Sequence, residues 1–230
     1  MFFSRQIEVH FEDRWLHWLT NRVLRGLVKR GLLRNEVRPL HTGGSLNLLW
    51  HRAHRYYRRD AAKVAELVEA YADPNIGAAL GLHGELMVLE GFARRQFVLR
   101  GRNTREYGGR KWIETSHDFD FILERDGVSY GTEVKNTLGY MEHNELEVKI
   151  KMCRSLGLKP RFVARMLPKH WIKEVIDAGG FALILKHQLY PWAHKDLARQ
   201  VKAEFGLPVD SPRALADGTV ERFVRWHEKM

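Results

Sequence analysis

Asp118, Asp120, Glu133 and Lys135 lie on either side of the dipeptide Asp126-Gly127. Two alternating apolar runs flank that pair, Phe119 to Leu123 and Tyr130 to Val134, which predicts a β-hairpin closed by a two-residue type I′ turn. With that turn, 125 faces 128, 120 faces 133 and 118 faces 135. One face of the hairpin, Phe119, Phe121, Leu123, Tyr130, Thr132 and Val134, is then core. The other carries the four charged residues side by side. Asp120 opposite Glu133, with Cβ atoms about 5 Å apart, is a repulsive pair that calls for a cation. Lys135 alone cannot neutralise both, and a hard divalent metal ion meets the need.

The elements around the hairpin follow from their own signals. Leu82 to Phe92 reads as a preceding helix that carries Glu85 after Gly84, with Glu90 as a rival acid. Gln96 to Arg100 reads as a strand. Gly101 to Ser116 is a polar, glycine-rich connection holding Arg102, Arg105, Arg110 and Lys111. Glu142 to Leu156 reads as a helix closed by Gly157, and Arg161 to Met166 and Phe181 to Lys186 read as apolar strands that complete a sheet. Ala178-Gly179-Gly180 is a turn and not a phosphate loop, because no helix follows it.

This layout resembles the PD-(D/E)XK, or restriction-endonuclease-like, nuclease superfamily. Its signature is an acid on one core strand and Glu-x-Lys on the antiparallel neighbour, matched here by Asp120 and Glu133-Val134-Lys135, often with a third acid from a preceding helix, matched by Glu85. The order of the motifs is most similar to archaeal Holliday-junction resolvase-like proteins. The resemblance covers roughly Gly81 to Tyr190. The chain departs from the pattern in having no proline before either aspartate: His117 precedes Asp118 and Phe119 precedes Asp120. Asp120 is preferred because it faces Glu133 and opens Phe121-Ile122-Leu123, while Asp118 is either a ligand or a partner of Lys135.

The resemblance implies an α/β fold with a restriction-endonuclease-like core, a central mixed sheet flanked by helices. It implies a magnesium-dependent endonuclease acting on DNA, with Mn²⁺ able to substitute. Glu85, Asp120 and Glu133 would hold the metal with the main-chain carbonyl of Val134, and Lys135 would orient and deprotonate the attacking water. The alternatives are a non-catalytic DNA-binding regulator or subunit on the same fold, and an RNA nuclease.

A second Glu-x-Lys, Glu147-Val148-Lys149, lies in a helical pattern where residues two apart do not share a face. Its Glu145/Lys149 and Glu147/Lys151 pairs read as ordinary surface support at i,i+4 spacing. The single cysteine, Cys153, excludes an intramolecular disulfide framework and a cysteine-rich zinc site, and its place in Leu146-Ile150-Cys153 makes it a buried small hydrophobe. Of twelve histidines only His51 and His54 are spaced for one helical face, without an acidic or cysteine partner beside them. His83 and His117 flank the candidate site. No Ser-His or Cys-His arrangement is apparent.

The chain of 230 residues carries 38 Lys/Arg against 28 Asp/Glu, a net charge of +10, which suits a polyanionic partner. Residues 1 to 72 hold 13 basic and 7 acidic residues. The densest piece, His51 to Asp60, interleaves Arg52, Arg55, Arg58 and Arg59 with Tyr56 and Tyr57, a composition suited to phosphates and bases. With Arg102 and Arg105 these arginines form the expected DNA contacts. No apolar run reaches the ~18 residues of a membrane span, and Met1 to His10 is too short in its apolar part for a signal peptide. The expected setting is the cytoplasm of a prokaryote or its phage.

Three regions are expected. Residues 1–72 form a helical module with a helix from Phe11 to Arg30, two short strands within Glu36 to Trp50 around a glycine tip, and a long helix from about His51 to Tyr71. The helix ending in Lys29-Arg30-Gly31-Leu32-Leu33, with the glycine-tipped hairpin after it, looks like the end of a winged-helix module. Residues 73–190 form the nuclease-like core. Residues 191–230 form a C-terminal helical extension packing on the core, two helices around Leu207 to Pro212. A homodimer is left open.

Overall fold

The structure, a computed structural model, describes residues 1–230. It divides into two compact units, residues 1–79 with 193–211 and residues 80–192 with 212–230.

In the first unit, β1 (Phe2–Phe3) leads into α1 (Ser4–His10) and α2 (His17–Lys29). The helix expected over Phe11 to Arg30 is therefore shortened to α2, and α1 precedes it. Phe11 to Leu16 form a turn, with Leu16 in extended conformation (ψ 143°) as the N-cap of α2. Apolar spacing persisted through the turn because Trp15 and Leu19 line one groove with Ile7 and Phe11. Next come β2 (Leu33–Pro39) and β3 (Ser45–His51), an antiparallel hairpin with β1 added along β3. The next helix, α3 (Tyr57–Tyr71), begins six residues later than expected, because His51 ends β3 and turns occupy 52–56.

The division between the units falls within α4 (Pro74–Ala93). At 20 residues this helix is long and apolar enough to cross a membrane by length and composition alone, which a search for uninterrupted apolar runs overlooks because Glu85 and Glu90 interrupt it. Its Met87, Val88 and Phe92 are buried in the core of the second unit. Then follow β4 (Val98–Thr104), a small hairpin of β5 (Glu106–Tyr107) and β6 (Arg110–Lys111), β7 (Phe119–Arg125), β8 (Val128–Lys135), α5 (His143–Leu156), β9 (Lys159–Ala164), α6 (Lys169–Asp177) and β10 (Phe181–Ile184). The polar connection after position 100 thus carries the end of β4 and a hairpin of its own. Of the two C-terminal helices, α7 (Lys195–Phe205) belongs to the first unit and α8 (Asp217–His227) to the second. Residues 191–230, expected as one extension, are shared between the units.

The second unit is built on a mixed five-stranded sheet in the order β10-β9-β8-β7-β4. β4, β7 and β8 pair antiparallel, while β8, β9 and β10 pair parallel. The parallel pairs require crossovers, supplied by α5 and α6. Helices cover both faces. Met87, Val88 and Phe92 of α4 and Phe223 of α8 pack on Phe121, Leu123, Tyr130 and Val134. On the other face Val148, Met152, Cys153 and Leu156 of α5 pack on Ile122 and Phe119. Phe119 was expected on the opposite face; it lies beyond the last registered pair of β7 with β8, Phe121 with Thr132.

Candidate active site

The hairpin has the register that the Asp126-Gly127 turn demands. Both residues have positive φ, 52° and 74°, the type I′ conformation, and Arg125 pairs with Val128, Leu123 with Tyr130 and Phe121 with Thr132. The registered ladder stops there, one residue short of Asp120 and Glu133. Beyond it, side chains take over. The Val134 N–H donates to Asp120 Oδ2 at 2.6 Å, which ties Asp120 to the strand that carries Glu133.

Two close approaches bring the flanking helices in. A Cβ on Gly84 would lie 2.6 Å from the Cβ of Asn136, so only glycine lets α4 pass this close to the residue after Lys135. Asn136 is buried and donates through Nδ2 to the carbonyls of Leu80 and Leu189, at 2.8 and 2.7 Å, while its Oδ1 accepts from the Leu189 N–H. Gly84 is followed by Glu85, which is thereby set beside the sheet. A Cβ on Gly131 would meet the Phe119 ring at 2.7 Å and Cys153 Sγ at 2.8 Å. Bare backbone there lets α5 settle on β8, and Glu145, Lys149 and Cys153, at i,i+4 intervals, share the facing side of that helix.

Lys135 Nζ lies 3.0 Å from Glu133 Oε1 and 2.8 Å from Glu145 Oε1. Lys149 Nζ donates to Glu133 Oε2 at 2.5 Å and also to the main-chain carbonyl of Asp118. Glu133 is 3% exposed and Lys149 4%. The expectation that Glu145/Lys149 is a surface pair is thus corrected: Glu145 reaches Lys135, and Lys149 is buried against Glu133. Glu147 is exposed and lies 3.8 Å from His143. Asp118 is exposed, and it enters the cluster through its carbonyl oxygen.

The electrostatics follow from burial and neighbours. Asp120 is pushed up to about 7, first by burial and then by the Glu133 charge, with the Val134 N–H and Lys149 opposing and Glu85 adding to the rise. For Lys135, burial disfavours the ammonium. The Glu133 charge and the hydrogen bonds to Glu145 and Glu133 outweigh it and hold the group above its ordinary value. Glu145 is desolvated too, yet Lys135 holds it below the usual carboxylate range.

Glu85 is partly exposed, and Arg102 Nη2 of β4 donates to its Oε2 at 3.3 Å. No three of the acids, histidines and cysteines converge closely enough to hold a metal ion. Arg105 is half-buried, its carbonyl accepting from the Trp112 N–H at 2.8 Å. His117 Nδ1 lies 2.9 Å from Thr115 Oγ1, and burial lowers the pKa of His83. Cys153 is fully buried and burial pushes its thiol up, as expected of a packing residue.

In the first unit Arg52, Arg55, Arg58 and Arg59 are all exposed, the last two on the first turn of α3. Tyr57 is stacked on Trp50 at 5.0 Å and an interplanar angle of 4°, whereas Tyr56 is exposed with the Arg59 guanidinium 5.2 Å from its ring centre. His54 Nε2 lies 2.8 Å from Asp60 Oδ2.

No model of a known protein family matches the chain, and no curated protein is significantly similar to it.

Proposed function

We propose that this chain is a metal-dependent nuclease that hydrolyses DNA phosphodiester bonds, with a restriction-endonuclease-like core in its second unit. The observation that carries the reading is the Asp120/Glu133 pair, two carboxylates held together at the end of a β-ladder with Lys135 beside them. Burying like charges near one another costs stability; Lys135 and Lys149 cover Glu133, and what remains for a further cation is Asp120, raised by burial and by the Glu133 charge. The pair's hard oxygen donors fit Mg²⁺ or Mn²⁺, and burial, with the Glu133 charge second, makes the Asp120 carboxylate costly without a cation. The carbonyl of Val134 would be a further oxygen donor. Glu85, engaged by Arg102, would join only after leaving that pair. A bound divalent ion would lower the pKa of the attacking water and offset charge on the phosphate.

The chain's own residues supply the rest. Asp120 must release its proton to act as a ligand, so activity should rise with pH up to about 7. Lys135, held as an ammonium by Glu133 and Glu145, is suited to donating hydrogen bonds to water or a phosphate oxygen and not to taking a proton. The exposed arginines Arg52, Arg55, Arg58 and Arg59 with Tyr56, and the overall +10 charge, support a nucleic-acid partner. We read α2 and the β2–β3 hairpin that follows it as a winged-helix-like module.

A second reading, a DNA-binding subunit on this fold without cleavage, is favoured by one feature: both oxygens of Glu133 are already engaged by ammonium groups. Incubation of supercoiled plasmid with the purified chain separates the two. The nuclease reading expects nicking in Mg²⁺ or Mn²⁺ that stops with EDTA and is absent from the Asp120→Asn protein. Binding without nicking in either metal would favour the second.

A further inference from the structure

We infer that Lys149 is a positioning residue of this site, the group that fixes the Glu133 carboxylate and the strand leading to Asp120 where backbone pairing has ended. The inference rests on the nuclease reading for its functional meaning, but its geometry stands apart from it. The registered pairs between β7 and β8 end at Phe121 with Thr132. Past that point Lys149 bridges the two strands, with one bond to the carbonyl of Asp118, two residues before Asp120, and another to Glu133 Oε2. Its ammonium also lies 5.8 Å from the centre of the Phe119 ring, between those residues.

The two lysines on Glu133 are not equivalent. The Lys135 side chain is 29% exposed and shared with Glu145, so it can turn toward a substrate without leaving a buried charge. The Lys149 side chain is 5% exposed and its ammonium is bonded to Glu133 and to the Asp118 carbonyl, so it does not reach a substrate and acts only through Glu133. A buried carboxylate needs a permanent partner, and this division leaves Lys149 as the permanent one when Lys135 moves. The position is marked in the sequence as well: Lys149 falls on the buried stripe Leu146, Ile150 and Cys153 of α5, where a charge needs a buried partner.

The test compares Lys149→Met with Lys149→Gln, the milder change should the first not fold, alongside the parent chain. Three measurements are taken: a crystal structure, Mn²⁺ binding by calorimetry, and single-turnover cleavage set against DNA affinity measured in Ca²⁺. Displacement of the Glu133 carboxylate by more than about 0.5 Å, the tolerance of a working site, is expected. Mn²⁺ affinity should weaken and the cleavage rate fall by about tenfold or more, with DNA affinity within about twofold. A Glu133 that stays in place in either folded variant, with Mn²⁺ affinity unchanged, would overturn the inference. If the parent chain neither cuts DNA nor binds Mn²⁺, the nuclease reading fails and the position of Glu133 in the variant still decides the role of Lys149. Failure of both variants to fold would make Lys149 a structural ion-pair partner and overturn the inference.

Discussion

Glu-Val-Lys occurs twice in this chain, at 133–135 on β8 and at 147–149 on α5. The strand copy places Glu133 and Lys135 on one face, 3.0 Å apart, because side chains two apart in a strand align. The helix copy sends its ends apart: Glu147 to the surface by His143, Lys149 into the interior. Both lysines nevertheless meet at the same carboxylate. The same three residues therefore carry different information in different backbones, and the site is assembled from parts of both.

This contrast can be broken most sharply at Glu133. Glu133→Ala would leave Lys149 buried without its carboxylate, and loss of one partner from a buried pair costs about 3–5 kcal/mol. Glu147→Ala should change stability by less than about 0.5 kcal/mol, and paired urea titrations compare the two. Cleavage should vanish only in the first.

Asp120→Asn tests the like-charge pair. Because the folded protein holds the Asp120 proton up to about pH 7, whereas an unfolded aspartate releases it near pH 4, the native state loses stability as pH rises through that window. Below about pH 4 the contribution is fully present. The asparagine variant, free of this loss, should gain about 4 kcal/mol relative to the parent at pH 8 without metal. The gain should disappear near pH 4. Equal pH dependence of the two proteins in thermal melts would show that Asp120 ionises freely.

Gly84→Ala is expected to cost about 1–3 kcal/mol through the clash with Asn136. It should also shift the metal concentration needed for cleavage, since Glu85 follows. Lys135→Ala should change stability by only about 1 kcal/mol, because Lys149 still holds the buried Glu133 carboxylate, and yet abolish cleavage. The smallest stability effect belongs to the exposed Arg55→Ala, Arg58→Ala, Arg59→Ala triple variant. Its expected signature is a log-log salt slope for DNA binding reduced by roughly one unit per lost phosphate contact, with metal dependence unchanged.

Much of the sheet unit was legible because its signals are local. Asp126-Gly127 dictates a turn whose twist sets the register, and Gly157 ends α5 in left-handed conformation (φ 72°). What escaped depended on contacts between distant segments. α6, nine residues long, owes its place to Val175 and Trp171 packing on β9 and β10 residues. Lys149 looked like half of a surface pair because its partner is sixteen residues away on a strand. The later start of α2 was hidden because the apolar spacing runs on through the turn. The pairing of Glu85 with Arg102 likewise joins two elements that no local pattern connects.

Anomalous diffraction from crystals soaked in Mn²⁺ tests the central claim most directly. The account predicts one peak bound by carboxylate oxygens of Asp120 and Glu133 at about 2.1 Å, a distance typical of a small divalent ion, and no peak in Asp120→Asn crystals. A parent crystal with no density between those two residues, from protein that cuts DNA in the same Mn²⁺ concentration, would contradict it and place the chemistry elsewhere.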